Sequence, residues 1–244
     1  MSTGPIVSID DVLGMLDSLL REQRTFDWDT FYENRDRPVP FFRNVPDEHA
    51  ALWVESQALT PGRVLELGCG PGRNAVFFAS KGFRVDAVDM SEEALRWARE
   101  RATERNVDVT FLKQDLFELE IEAGGYDLVY DSGCLHHIPP HRRPAYLELV
   151  DKAFKPGGHY AVSCFVVGGP LGGRTATDLE VYRERSMRGG LGFTEEKLRA
   201  IFRDYRPVEI RLMRPFGDAD DVFGVEGLLV GLFRKPDSDV IIRG

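Results

Sequence analysis

Cysteine is scarce in this chain and poorly placed for cooperative chemistry: Cys69, Cys134 and Cys164 are the only three in 244 residues, and no Cys-x-x-Cys pair occurs. An odd, widely spaced set does not make a disulfide framework and lacks the short chelating spacing of a zinc cluster. Free thiols and no metal are therefore expected. No apolar run approaches the length that crosses a bilayer, and the start MSTGPIVSIDDVLGML has neither the basic opening nor the long apolar core of a secretory signal. A soluble, cytoplasmic protein with no membrane partner is expected. Positive charge is in deficit, with 31 Lys and Arg against 40 Asp and Glu for a net charge of -9. Phosphate binding rests on clustered Lys and Arg, so a broad nucleic-acid or anionic-lipid face is excluded. Internal repeats and low-complexity tracts are also missing.

What is present is an alternation. From residue 63 onward, short β-branched apolar runs at 63–67, 84–88, 109–113, 127–131 and 159–165 are separated by helical patterns at 73–81, 91–105, 142–154 and 194–203. That order predicts a doubly wound α/β domain, with a mostly parallel sheet covered by helices on both faces. Ser91, followed by two acidic residues, marks a helix start. Two more apolar runs, 208–213 and 227–233, are joined by RPFGDADDVFGVE, which has no helical pattern and allows an antiparallel return. Before residue 60 the pattern changes to amphipathic helices near 10–21 and 47–58 around an aromatic stretch, FDWDTFYENRDRPVPFF. We divide the chain into an N-terminal helical lid or extension, 1–46, and a main domain, 47–244. GGPLGG at 168–173 is the most flexible-looking core connection.

The first strand ends in Glu66 and Leu67 and runs into Gly68-Cys69-Gly70-Pro71-Gly72 before a helix. Such a turn sets backbone N–H groups and a helix start at the carboxyl edge of the sheet, where ligands bind. Asp89 ends the second strand about 20 residues on, where a carboxylate can accept both hydroxyl protons of a ribose. A dinucleotide fingerprint needs a third small residue where this chain has Arg73. A second acid, Asp115, follows the third strand, so one carboxylate for a ribose and another near an adenine amine suit a nucleoside without phosphates. An NAD(P)-dependent oxidoreductase is the alternative, and a non-catalytic binding protein is a third reading.

Taken together, ELGCGPG, VDMS, KQD, YDLVYDSGCLHHIPP and FKPGGHYAVSCF resemble the ordered motifs of class I S-adenosylmethionine-dependent methyltransferases, over about residues 60–165. The resemblance implies a Rossmann-like seven-stranded sheet with its last strand antiparallel. It also implies S-adenosylmethionine as cofactor, with Glu66, Gly68 and Gly70 around the methionine part, Asp89 on the ribose and Met90 over the adenine. Asp115 and Leu116 would read the adenine edge, and Asp131 with Ser132 would border the methionine amine. The N-terminal aromatics and GRNAVFFASKGFRVDAVDMSEEAL look like the small-molecule branch that includes tellurite-resistance, thiopurine and halide/thiol methyltransferases. In that branch an N-terminal aromatic segment covers the cofactor, and Trp28, Tyr32, Phe41 and Phe42 are the residues here that can do so.

Methyl transfer from a sulfonium is an in-line displacement, so alignment and water exclusion carry most of the rate, and a base is needed only for a nucleophile of high pKa. Asp131 and His136 are the expected catalytic groups, with Trp28, Tyr32, Cys134 and His136 on the substrate side; His137 is read as a capping or orienting residue. The DSGC stretch lacks the Asp/Asn-Pro-Pro-aromatic pattern of base-modifying enzymes, so a small-molecule acceptor, and no nucleic acid, is expected. Arg174, Arg183, Arg185 and Arg188 are either a solvated face or an attractor for an anionic substrate. A monomer or a homodimer is expected.

Overall fold

The structure is a computed structural model that describes residues 5–21 and 26–237; the remaining parts of the 1–46 and 47–244 regions lie outside the described residues. Seven strands form one sheet: β1 (Arg63–Leu67), β2 (Arg84–Asp89), β3 (Thr110–Lys113), β4 (Tyr126–Ser132), β5 (Phe154–Phe165), β6 (Arg206–Leu212) and β7 (Leu228–Arg234). Their spatial order is β3-β2-β1-β4-β5-β7-β6. The first five pair in parallel, whereas β7 runs antiparallel to both β5 and β6. The expected mixed edge is thus present: the connection over 213–227 forms no crossover helix and returns the chain antiparallel beside β6.

Strand order reverses between β1 and β4, which opens a crevice at the carboxyl ends of the strands. Helices close both faces: α1 (Ile9–Arg21), α2 (Trp28–Glu33), α3 (Glu48–Glu55), α4 (Arg73–Ser80), α5 (Glu92–Glu104), α6 (Arg143–Ala153), α7 (Asp178–Arg183) and α8 (Glu195–Ile201). Alternating residues of the central strands feed two cores. Leu65, Leu67, Val129, Tyr160 and Val162 pack with α6 and α8, while Val64, Leu128, Tyr130 and Ala161 pack with α3, α4 and α5. Burying each such large side chain contributes about 1.5 to 3 kcal/mol.

Two helices, α2 and α7, have no counterpart in the sequence reading. Each is six residues long and is started by its cap, Asp27 accepting the Thr30 N–H and Thr177 forming a reciprocal capping box with Glu180. A six-residue helix offers too little apolar period to be recognised. The fifth strand also begins earlier than expected, at Phe154, which pairs with Tyr126 across a register shift. At the N-terminus, Asp17 of α1 bonds His141 Nε2 at 2.8 Å and pairs with Arg142, tying α1 to the start of α6. Asp29 of α2 accepts the Ser91 hydroxyl at 2.7 Å and so fastens α2 to the cap of α5. Trp28, Phe31, Tyr32, Phe41 and Phe42 then pack around Trp97. No helix among the described residues is long and apolar enough to cross a membrane.

Candidate active site

A cavity of about 470 Å³ occupies the crevice at the carboxyl edge of the sheet. Its floor is the glycine loop. Gly70 has φ of +51°, and a Cβ there would lie 2.9 Å from the Tyr32 hydroxyl, so only glycine lets α2 close onto the loop. Gly72 has φ of +75°, and its Cβ would stand 2.7 Å from Ala98 Cβ on α5. The tight helix packing that a dinucleotide fingerprint assigns to its third small residue is thus supplied here by Gly72, which frees the next position for Arg73.

Asp89 does more than face a ligand. Its Oδ2 accepts the Gly70 N–H at 2.7 Å and its Oδ1 accepts the Ser91 N–H at 2.8 Å, so it locks the glycine loop to the start of α5. Burial raises its pKa, and these backbone donors oppose the rise. The carboxylate still lines the cavity with free lone pairs. Asp115 caps the short turn at Leu116–Glu118 by accepting the Phe117 N–H at 2.9 Å, and it lines the same end of the cavity with Met90, Gln114 and Leu116.

Glu66, at the end of β1 beside the glycine loop, is 1% exposed. Burial pushes its carboxyl up to about 8 although Arg73 pulls the other way, and its Oε2 has no hydrogen-bond partner. An orphaned buried carboxylate oxygen costs free energy in the empty protein and calls for a donor from a ligand. A molecule with a ribose at one end and an ammonium at the other therefore fits: Asp89 with Asp115 at the nucleoside end, Glu66 at the amine end.

The structure separates Asp131 from this set. Asp131 is fully buried outside the cavity lining, where it accepts the Cys134 N–H at 2.7 Å, the Leu135 N–H at 3.0 Å and the Tyr146 hydroxyl. Tyr146 in turn lies 2.8 Å from the Tyr160 hydroxyl. Side chains alternate along a strand, so Asp131 shares the α6 face with Val129, whereas Ser132 shares the opposite face with Tyr130 and reaches the cavity from the strand end. The expectation that Asp131 meets the cofactor or substrate is corrected: it anchors the loop that carries Cys134 and His136. Burial, eased by these hydrogen bonds, raises its carboxyl to about 7.

His136 is on the cavity wall, 4% exposed, with Nδ1 unpartnered and its ring stacked on Phe165 at 3.6 Å between centroids. Burial and the neighbouring His137 hold it well below its ordinary value, so it is a neutral imidazole at pH 7. His137 is pushed down to about 4 by burial and packs edge-on against Trp28 at 5.1 Å. The Cys134 thiol is raised well above its usual value by burial and by the Asp131, Asp89 and Asp115 carboxylates, so it stays protonated. Trp28, Tyr32 and Phe41 reach the cavity; Phe42 does not, because it packs against Trp97 at 4.9 Å.

Several lining residues carried no signal in the sequence. Arg73, marked in the sequence only as a departure from the dinucleotide fingerprint, gains its contacts from the fold: its guanidinium bonds Asp47 Oδ1 at 2.6 Å and Ser132 Oγ at 3.1 Å, and lies 4.4 Å over the Phe223 ring. Burial alone would raise the Asp47 carboxyl, but Arg73, His49 and the Tyr130 hydroxyl outweigh it and hold it at about 2. Phe223 and Val225 come from the β6–β7 connection, Leu228 from the first position of β7, and Ser163 and Phe165 from the end of β5. Arg174, Arg183, Arg185 and Arg188 do not line the cavity; Arg174 and Arg188 both pair with Glu184 at 2.7 Å. Among the described residues, no group of three or more His, Cys, Asp and Glu is placed to hold a metal ion.

With this geometry fixed, comparison with known proteins is informative. Residues 64–158 match the family model described as methyltransferase domain. The Burkholderia thailandensis 1,6-didemethyltoxoflavin-N1-methyltransferase, solved with bound 1,6-didemethyltoxoflavin and S-adenosylhomocysteine, superimposes with a TM-score of 0.64 at 26% identity, covering 96% of this chain and 93% of that one. Residues 64–158 thus match a methyltransferase domain, within the Rossmann-like fold of known methyltransferases. The chain is also 28% identical over 174 residues to the probable thiol methyltransferase 2 of Arabidopsis thaliana, covering 70% of this chain and 76% of the relative. An uncharacterized methyltransferase of Schizosaccharomyces pombe is 39% identical over 75 residues, and there the chain spans only 52% of the relative's length.

Proposed function

We propose that the protein transfers the methyl group of S-adenosylmethionine to a small organic nucleophile. The observation that carries this reading is the pairing, in one cavity, of the ribose-ready Asp89 with the orphaned Glu66 carboxylate. Glu66, Gly68, Gly70 and Ser132 would receive the methionine end, with Asp89, Met90, Asp115 and Leu116 holding the nucleoside. S-adenosylmethionine supplies an electrophilic methyl carbon on a positive sulfur, which leaves as a neutral thioether.

Everything else falls to the chain. The segment within 1–46 that presents Trp28 and Tyr32 acts as a cover that excludes water, and these rings offer aromatic faces to the sulfonium. The neutral His136 imidazole on the cavity wall, with Nδ1 unpartnered, would take the proton of an acceptor that arrives protonated. Cys134, being a thiol, orients the loop and does not attack. The test is to follow S-adenosylhomocysteine release with a panel of small thiol, N–H and hydroxyl compounds. Acceptor-dependent release supports the proposal, and release with none of them, alongside tight cofactor binding, would leave a binding protein instead.

A further inference from the structure

The cavity divides into two halves by charge. On the β2–β3 side lie the carboxylates assigned to the cofactor, Asp89 and Asp115; Glu66 marks the boundary beside the glycine loop. The other half, under β5 and the β6–β7 connection, is what remains for the acceptor. Its only ordinarily charged lining group among the described residues is Arg73, and Arg73 is already neutralised by Asp47 at 2.6 Å inside the protein. Phe41, Phe165 and Phe223 line it and belong to one apolar cluster. Two of those rings are held rigidly as slabs, Phe165 stacked on His136 with an interplanar angle of 20° and Phe223 against the Arg73 guanidinium. The hydrogen-bonding groups among them are small and neutral: Ser132 and Ser163, whose hydroxyl oxygens are 3.3 Å apart, and the His136 imidazole.

We infer that the acceptor is an uncharged, planar aromatic or heteroaromatic molecule that carries its nucleophile as a ring N–H or ring substituent, a conclusion that rests on the methyl-transfer reading above. An inorganic anion such as iodide, hydrogensulfide or tellurite would enter a desolvated wall with no unpaired cation, and a cationic amine one with no unpaired carboxylate; either pays a desolvation cost that nothing on the wall returns. A flat ring, by contrast, gains aromatic contact on Phe165 and Phe223, and its heteroatoms meet the Ser163 hydroxyl and the His136 imidazole.

The experiment uses the whole chain. Calorimetry with S-adenosylhomocysteine comes first; then S-adenosylmethionine turnover is measured with indazole, lumazine and umbelliferone against iodide, hydrogensulfide, tellurite and ethanolamine. The expected result is binding of S-adenosylhomocysteine and methylation of at least one ring compound, with the ions at background. In a Phe165→Leu variant, KM for the ring compound should rise about two- to tenfold, the range for loss of one aromatic contact, with the S-adenosylhomocysteine Kd unchanged. Methylation of any ion or of ethanolamine as fast as the rings overturns the inference, and so does intact cofactor-product binding with no ring compound methylated or bound. Absence of S-adenosylhomocysteine binding is a different failure, which removes the methyl-transfer reading itself.

Discussion

Asp89 Oδ2 accepts the backbone N–H of Gly70 at 2.7 Å, so the acid at the end of β2 holds the glycine loop of β1 in its ligand-ready shape. The carboxylate therefore has two tasks that a single substitution disturbs together. Asp89→Ala is expected to weaken S-adenosylhomocysteine binding by roughly 1.5 to 3 kcal/mol from the lost charged hydrogen bonds. Asp89→Asn keeps an acceptor for one of the two backbone donors and should fall between wild type and Asp89→Ala. Equal affinities in all three, by calorimetry, would remove Asp89 from the site.

Glu66 links stability to binding. Its carboxyl is raised from 4.5 to about 8, so the folded chain holds a proton that the unfolded chain has lost, and stability falls as pH rises across that window. Glu66→Gln should remove this slope and stabilise the unliganded protein by roughly 1 to 3 kcal/mol at pH 7, while weakening the cofactor. Urea unfolding across the window checks it, and an unchanged slope would contradict the assignment.

The Asp47–Arg73 pair has the opposite sign. Its carboxyl is depressed from 3.8 to about 2, so the stability it contributes is present above 3.8 and is lost as pH falls through about 2. Asp47→Ala leaves Arg73 buried and uncompensated, which should cost about 3 to 5 kcal/mol in urea unfolding at neutral pH. The gap from wild type should close in acid. A gap constant down to the acid limit would show that the pair is not the source.

His136→Ala should lower kcat by about 10² to 10⁴ for an acceptor that arrives protonated, with the S-adenosylhomocysteine Kd little changed. Because burial holds this imidazole well below its usual range, the wild-type rate should show no acid limb near the ordinary histidine value of 6.5. Rate measurements across that range decide the matter; a limb there, absent in the variant, would mean that the ring is more solvated than the structure has it.

Much of the fold, and the gathering of Glu66, Asp89 and Asp115 at one cavity, could be read in the sequence because both are local. A strand, its glycine turn, the following helix and the acid at the next strand end are contiguous signals, and Glu66, Asp89 and Asp115 meet in the cavity for that reason. Asp131 misled because it adjoins Ser132 in sequence, while strand parity sends the two to opposite faces. Of the acceptor wall, His136 and Phe41 were legible, but the residues that meet them from distant segments were not. Arg73 meets Asp47 across 26 residues and Phe223 across a still longer interval, and such pairings exist only once α3 and the β6–β7 connection have docked.

The most direct measurement is calorimetric titration of the whole chain with S-adenosylmethionine, S-adenosylhomocysteine and NADH. The account predicts one-site binding of both adenosyl compounds in the micromolar range or tighter and no heat from NADH. No binding of either adenosyl compound, or binding of NADH in their place, would contradict it.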